Sequence, residues 1–253
     1  MNITSWNVNS LNVRLPHVLQ YLQETAPDIL GLQELKQTDA AIDRTALVAA
    51  GYHLESHGQK TYNGVALLAR ETLTDVVRGI PGYADEQARA IAASIGDVRV
   101  LNLYVPNGKA VGDEKYTYKL HWLDAVTRYI DDLKREHPKL VIIGDYNIAP
   151  ADLDVHDPDK WRDQILCSAP ERQALANLLA LGFKDAYRTL HPDSQQFSWW
   201  DYRMGGLRRN IGLRIDLTLT SDALTLADAG IDTAPRHWER PSDHAPAWVK
   251  IKG

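Results

Sequence analysis

The chain has 253 residues, 44% hydrophobic and 24% charged, a balance that suits a packed globular core and argues against a disordered chain. Its longest apolar clusters, such as residues 140–143, fall far short of the roughly 20 residues a membrane span needs. A single cysteine, Cys167, excludes an internal disulfide and fits a reducing compartment. The amino terminus has no basic stretch followed by an apolar run, so no secretory signal is read and cytoplasm is the expected location. The formal net charge of −5 argues mildly against a nucleic-acid partner. Phosphate attraction is local, however, screened within about 10 Å. Residues 202–215 carry Arg203, Arg208, Arg209 and Arg214 and no acid, which suits a phosphate-contacting loop or, equally, a solvated basic one.

In chain order, short apolar or alternating runs predict strands near residues 2–6, 28–33, 63–69, 89–95, 98–105, 139–144, 196–200, 214–220, 225–231 and 245–251. Helical stretches fall between them at 14–24, 39–50, 115–137 and 170–181, each followed by a Gly or Pro stop. In the third, Leu120, Leu123, Val126, Ile130 and Leu133 recur at spacings of three and four, the stripe of an amphipathic helix. No segment has the composition of a linker. Strands and helices alternate through both halves, which predicts one α/β domain of sheets packed face to face with helices outside. The loosely similar element order of the halves suits an internally duplicated sandwich.

Polar residues suited to metal or phosphate chemistry cluster at predicted strand ends. Asn7 follows the first strand, Glu34 the second, Tyr104 and Asn107 the fifth, and Asp145 and Asn147 the sixth. Asp216 lies within a strand run and Asp243–His244 precedes the last. Each alone is equally an ordinary turn residue; together they place distant side chains on one rim of a rigid scaffold. A hard cation such as Mg²⁺ takes oxygen ligands and keeps several waters, and Glu34 and Asp243, helped by the Asn7 amide oxygen, fit that need. Zinc motifs are absent from the sequence. His53 and His57, four apart beside Gly51 and Gly58, are read as non-catalytic turn residues. Asp216 has apolar neighbours and needs a partner if buried; His244 as imidazolium would supply one and be raised in pKa itself.

Seven blocks carry a family resemblance: Thr4-Ser5-Trp6-Asn7-Val8-Asn9, Leu32-Gln33-Glu34-Leu35-Lys36, Tyr104-Val105-Pro106-Asn107-Gly108, Gly144-Asp145-Tyr146-Asn147-Ile148-Ala149-Pro150, Phe197-Ser198-Trp199-Trp200-Asp201-Tyr202-Arg203, Gly212-Leu213-Arg214-Ile215-Asp216 and Ser242-Asp243-His244-Ala245-Pro246. In this order they resemble the exonuclease III class of AP endonucleases, within the endonuclease/exonuclease/phosphatase superfamily. The resemblance implies a DNase I-like four-layer α/β sandwich, two packed mixed β-sheets flanked by helices, with the site at one end of the sheets. It implies Glu34 as principal metal ligand, with Asn7 and Asp243, for Mg²⁺ or alternatively Mn²⁺. Asp145 would orient or deprotonate the attacking water, with Asn147 fixing Asp145 and the phosphate. Tyr104 and Asn107 would contact the scissile phosphate, and His244, paired with Asp216, would stabilise the charge building on phosphorus.

The expected substrate is double-stranded DNA with abasic sites or blocked 3′ ends, and the expected enzyme a monomeric repair hydrolase cutting 5′ to the abasic site, clearing 3′ ends and showing 3′→5′ exonuclease activity. Two alternatives stay open: an enzyme working mainly on 3′ ends, and a hydrolase of the same superfamily acting on a non-DNA phosphate ester. By resemblance Trp199, Leu213 and Ile215 form an apolar pocket for a flipped, baseless sugar; core packing is the alternative for one of the two adjacent tryptophans. Arg203 would enter a groove beside the lesion and Asn210 would touch the backbone. Two positions depart from the pattern. Asn9 stands where some relatives have Asp, against a second metal ligand there. His156 stands where Gly is expected, and its ring would narrow the approach for internal abasic sites and favour 3′-end trimming.

Overall fold

The computed structural model describes residues 1–252. The first half supplies β1 (Asn2–Asn7), α1 (Leu11–Thr25), β2 (Ile29–Gln33), α2 (Arg44–Ala49), β3 (His53–His57), β4 (Val65–Ala69), β5 (Thr74–Arg78), β6 (Ala90–Ile95) and β7 (Val98–Tyr104). The second supplies α3 (Glu114–Glu136), β8 (Leu140–Asp145), α4 (Pro158–Trp161), α5 (Ala169–Leu179), β9 (Phe183–Asp185), α6 (Ala186–Leu190), β10 (Trp199–Trp200), β11 (Gly212–Leu213), β12 (Asp216–Ser221), β13 (Leu226–Ile231) and β14 (Ala247–Ile251). Local chemistry sets the helix limits. Asp113 caps α3 by accepting from the Lys115 amide, Ser168 and Glu171 form a capping box on α5, and Ala26 ends α1 in the left-handed region.

Two six-stranded sheets result, ordered β13-β14-β1-β2-β4-β3 and β5-β6-β7-β8-β12-β9. Each has a central parallel pair, β1/β2 or β7/β8, flanked by antiparallel strands. A crossover helix joins each pair, α1 in the first sheet and α3 in the second, so the two halves repeat one plan. Alternation of side chains sorts the core into three apolar layers. Val100, Val141 and Ile143 of one sheet meet Ile3, Ile29, Val65 and Leu67 of the other. Leu101, Leu103, Leu140 and Ile142 face α3 and α5 on the outside, while Leu30, Leu32, Ala66 and Leu68 face α1 and α2. A buried polar link crosses between the sheets: Asn102 donates to the carbonyls of Leu32 and Ala66, and Gln33 donates to Asn102 Oδ1 at 2.6 Å.

Most predicted elements stand; the short α4, β9 and α6 lie outside the predicted runs, and four further differences follow. The 39–50 stretch divides into a 3₁₀ turn, Asp39–Ala41, and a short α2 capped by Asp43, whose carboxylate accepts from Ala46. His53 and His57 are the first and last residues of β3, not turn residues; polar residues on its outer positions hid the strand. Edge strand β5, without one buried residue and broken by a bulge, gave no apolar signal. The 196–200 run keeps only Trp199–Trp200 as strand.

Candidate active site

Register brings the strand-end residues together. Asp145 at the end of β8 lies opposite Tyr104 at the end of β7 and opposite Asp216 at the start of β12. Asn7 ends β1 beside Gln33, which leads into Glu34. Gly144 permits the close approach of β7 and β8, since a Cβ there would lie 2.1 Å from the Leu103 carbonyl oxygen. Asn147, at φ 48°, turns back on the strand so that its amide N–H meets Asp145 Oδ1 at 2.9 Å; Asn tolerates this left-handed conformation better than most residues.

Asp145 is fully enclosed. Asn7 Nδ2 donates to its Oδ2 at 2.9 Å, and His244 Nε2 stands 3.7 Å from the same oxygen, beyond hydrogen-bond range. His244 Nδ1 donates to Asp216 Oδ2 at 2.8 Å, while the Ser198 hydroxyl accepts the Ile215 and Asp216 amides. Burial alone would lower the His244 pKa, but the Asp216 and Asp145 carboxylates outweigh it and push it up to about 10. Burial pushes Asp145 up to about 7, with the Asp216 charge adding to the shift and His244 and the Asn7 hydrogen bond opposing it. The imidazole is therefore a cation whose Nε2 proton points at the space in front of Asp145. Tyr104 stays a phenol: burial raises its pKa far above the ordinary value, and the Glu34 and Asp145 charges add to that. Arg89, unremarked in the sequence, sits 4.9 Å over the Tyr104 ring and donates to its carbonyl.

Asp145, Asp216 and His244 each place a potential ligand atom within 4.8 Å of the others. Within the trio His244 Nδ1 is already engaged by Asp216 Oδ2, which leaves Nε2 and the Asp145 carboxylate facing each other at 3.7 Å. The second group, Glu34, Asn7 and Asp243, has the oxygen donors a hard cation takes. Glu34, at φ 61°, keeps an accessible carboxylate 3.4 Å from Lys36 Nζ. Lys36 also donates to Asn9 Oδ1, and Asn9 Nδ2 donates to Asp243 Oδ1. Burial would raise the Asp243 pKa; the His244 charge and the hydrogen bonds from Trp199 and Asn9 outweigh it, so the carboxylate stays ionised. Asn9 thus bridges Lys36 and Asp243 through hydrogen bonds.

The substrate positions fall differently. Trp199 is half-buried while Trp200 packs in a small core with Phe197 and Ile231, so core packing holds for one of the pair. Leu213 and Ile215 are 0% and 1% exposed, packed with Ala149, Val155 and Leu166, and the half-buried Trp199 lies against the same cluster. Arg214 leaves the basic loop altogether, buried in ion pairs with Asp154 and Asp185. Arg203 is exposed and paired with Asp201, and Asn210 Oδ1 accepts from Trp200 Nε1. Asn107, on the surface, donates to Asn147 Oδ1 at 3.2 Å. Beside Tyr104 and Asn107 runs a cleft of about 590 Å³ that Arg89, Lys109 and Lys115 also line. The His156 ring is held by the Gly212 carbonyl, 3.2 Å from Nδ1, with the His156 amide on the same oxygen. Ser198, Ser242 and Lys36 were within reach of sequence reasoning, since each stands inside a resembling block. Ser242 donates to the Asn7 carbonyl and accepts the His244 amide.

A two-sheet, four-layer sandwich with carboxylates, amides and an Asp–His pair on one rim defines a phosphoester hydrolase of the DNase I-like fold. The model of the endonuclease/exonuclease/phosphatase family matches residues 4–244, and the chain belongs to that family. It is 38% identical to exodeoxyribonuclease III of Haemophilus influenzae over all of both chains. With the DNA repair nuclease APEX1 of Danio rerio it shares 32% identity, across 97% of this chain and 80% of the relative. Among solved structures, a 3′ phosphatase from Neisseria bound to a product DNA hairpin superposes with a TM-score of 0.99 at 47% identity, each chain covered in full.

Proposed function

We propose that the chain is a metal-dependent DNA-repair hydrolase that breaks the bond between phosphorus and the 3′ oxygen, 5′ to abasic sites and at blocked 3′ ends, with 3′→5′ exonuclease activity following from the same cut. The observation that carries this is the pairing of an enclosed Asp145 with a cationic His244 at 3.7 Å, in front of Asn7, Asn147 and Tyr104. Asp145 orients the attacking water and takes its proton, held for this by the Asn7 amide and the Asn147 N–H. Tyr104 and Asn107 position the phosphate, and His244, fixed by Asp216, donates to a phosphoryl oxygen as its charge grows. Glu34, with Asn7 and Asp243, would hold the ion. Magnesium is the proposed ion, with Mn²⁺ also suited; when bound it neutralises phosphate charge and eases departure of the 3′ oxygen. The carboxylate and amide donors fit that ion. No helix among the described residues is long and apolar enough to cross a membrane; a cytoplasmic monomer is the proposed form.

One observation favours 3′ ends over internal abasic sites. Leu213 and Ile215 are covered, and His156 is fastened over the same wall by the Gly212 carbonyl. A terminal phosphate reaches Asp145 without lodging a flipped sugar behind it. The similarity to the Neisseria 3′ phosphatase supports the 3′-end activity. The test compares a duplex ending in a 3′ phosphate with a duplex carrying one internal abasic site, with magnesium and with chelator. We expect cleavage of both with magnesium and neither with chelator, the 3′ phosphate faster. Chelator-resistant cleavage, or inertness on both duplexes, would sink the reading.

A further inference from the structure

Behind the site, two charged side chains are wholly buried against each other: Lys119 of α3 and Glu171 of α5 are both 0% exposed. The Lys119 ammonium also donates to two backbone carbonyls, that of Asn147 at 2.6 Å and that of Asn107 at 3.2 Å. Glu171 is held as firmly. Its Oε1 accepts the Leu166 amide, and its Oε2 accepts the amide and hydroxyl of Ser168. Gly108 lets the Asn107 turn lie against this amine, since a Cβ there would sit 3.1 Å from Lys119 Cδ and 2.9 Å from Ile165 Cδ1. Burying an ion pair is a poor route to stability, because a matched apolar pair commonly packs as well or better. An apolar pair cannot hold two carbonyl groups at a set separation.

Those carbonyls belong to the residues whose other ends do the work. The Asn147 amide braces Asp145 Oδ1, and Asn107 Nδ2 reaches Asn147 Oδ1. We infer that Lys119, braced by Glu171, is a positioning residue that fixes the Asn107 turn relative to the Asn147 turn, and so the phosphate contact relative to the water-activating carboxylate. This rests on the proposed DNA-hydrolase reading. A misplacement of about 1 Å costs a reaction roughly 100-fold in rate, so the clamp acts on the chemical step. The bulk of DNA affinity comes from many dispersed phosphate contacts.

The experiment uses the full chain with magnesium and the 3′-phosphate duplex. In Lys119→Met/Glu171→Gln both formal charges go, so neither is left buried alone, and the glutamine oxygen still serves Ser168. We expect a cooperative melting transition, kcat lowered about 10- to 100-fold and DNA affinity within about threefold of wild type. A folded double variant with wild-type kcat overturns the inference, as a merely structural pair would give. Lys119→Arg keeps the charge pair but offers a planar fork instead of one nitrogen, and is read beside it by kcat and by the Asn107 and Asn147 side-chain amide resonances. Movement of those resonances with a smaller loss of kcat supports the clamp; wild-type resonances and wild-type kcat overturn it even if the double variant fails to fold. An inert wild type would instead count against the proposed function.

Discussion

His244, Asp216 and Asp145 set the charge state of the centre, and pH tests it. The folded pKa of His244, about 10, stands above the 6.5 of an ordinary histidine. The folded protein therefore keeps a proton that the unfolded chain releases between those values. Stability from this group is complete below pH 6.5 and disappears as pH climbs towards 10. Asp145, raised from 3.8 to about 7, works in the same direction over its own lower window, because the folded state resists giving up that proton. We expect the metal-free protein to melt at falling temperatures as pH rises from 6.5 to 10, and Asp216→Asn to flatten that slope. An NMR titration should show the His244 imidazole dropping towards 6.5 in Asp216→Asn; an unchanged midpoint would mean that Asp216 does not hold the charge. At this scale the sequence was informative, since the Asp–His pair follows from an acid flanked by apolar residues and a histidine beside a carboxylate. The second bond on each member was not legible: Ser198 under Asp216 and Asn7 against Asp145 depend on register between strands remote in sequence.

At the scale of elements, the segment 151–156 is a 3₁₀ turn, Asp152–Asp154, followed by a single β-bridge at Val155 that sews it to β11. Arg214 N–H donates to the Asp154 carbonyl, Val155 bridges Leu213, and His156 donates to Gly212. The Asp154 carboxylate receives Arg188 and Arg214 together, while Arg214 also pairs with Asp185. The ring of His156 is consequently built into a wall and does not swing on a free loop. In His156→Gly, internal abasic cleavage relative to 3′-phosphate removal should rise about tenfold, which corresponds to roughly 1.4 kcal/mol of relieved crowding. An unchanged ratio of the two single-turnover rates would remove His156 from any part in selection. The sequence singled out His156 as a departure but not its fastening. Arg214 looked like a member of a basic loop because charge alone cannot distinguish an arginine in water from one buried between two carboxylates. Strands β3 and β5 escaped for a related reason: their polar faces leave too few apolar residues for a period-two signal.

Over the whole molecule, the two sheets must meet in one register for β1, β2, β7, β8 and β12 to deliver their ends to a single rim. The apolar interface fixes distance, and Asn102 with Gln33 fixes alignment, since each hydrogen bond from Asn102 reaches the other sheet. Asn102→Leu fills a similar space but takes the Oδ1 acceptor from the buried Gln33 amide and the side-chain donor from the Leu32 and Ala66 carbonyls, which keep only their ladder bonds, at a cost of about 1–3 kcal/mol. Chemical denaturation should register a loss of about that size, and a midpoint equal to wild type would show the link to be dispensable. The four-layer plan was legible because α/β alternation and apolar runs survive in the sequence, whereas an asparagine inside a strand carries no sign of which sheet it serves. In the proposed mechanism Asp145 is the group on which hydrolysis turns. Single-turnover cleavage of the 3′-phosphate duplex by wild type and Asp145→Asn, with DNA affinity measured in parallel, tests this most directly. The expected result is a loss of about 100-fold or more in rate with affinity nearly unchanged; an Asp145→Asn protein that binds and cleaves like wild type would contradict it.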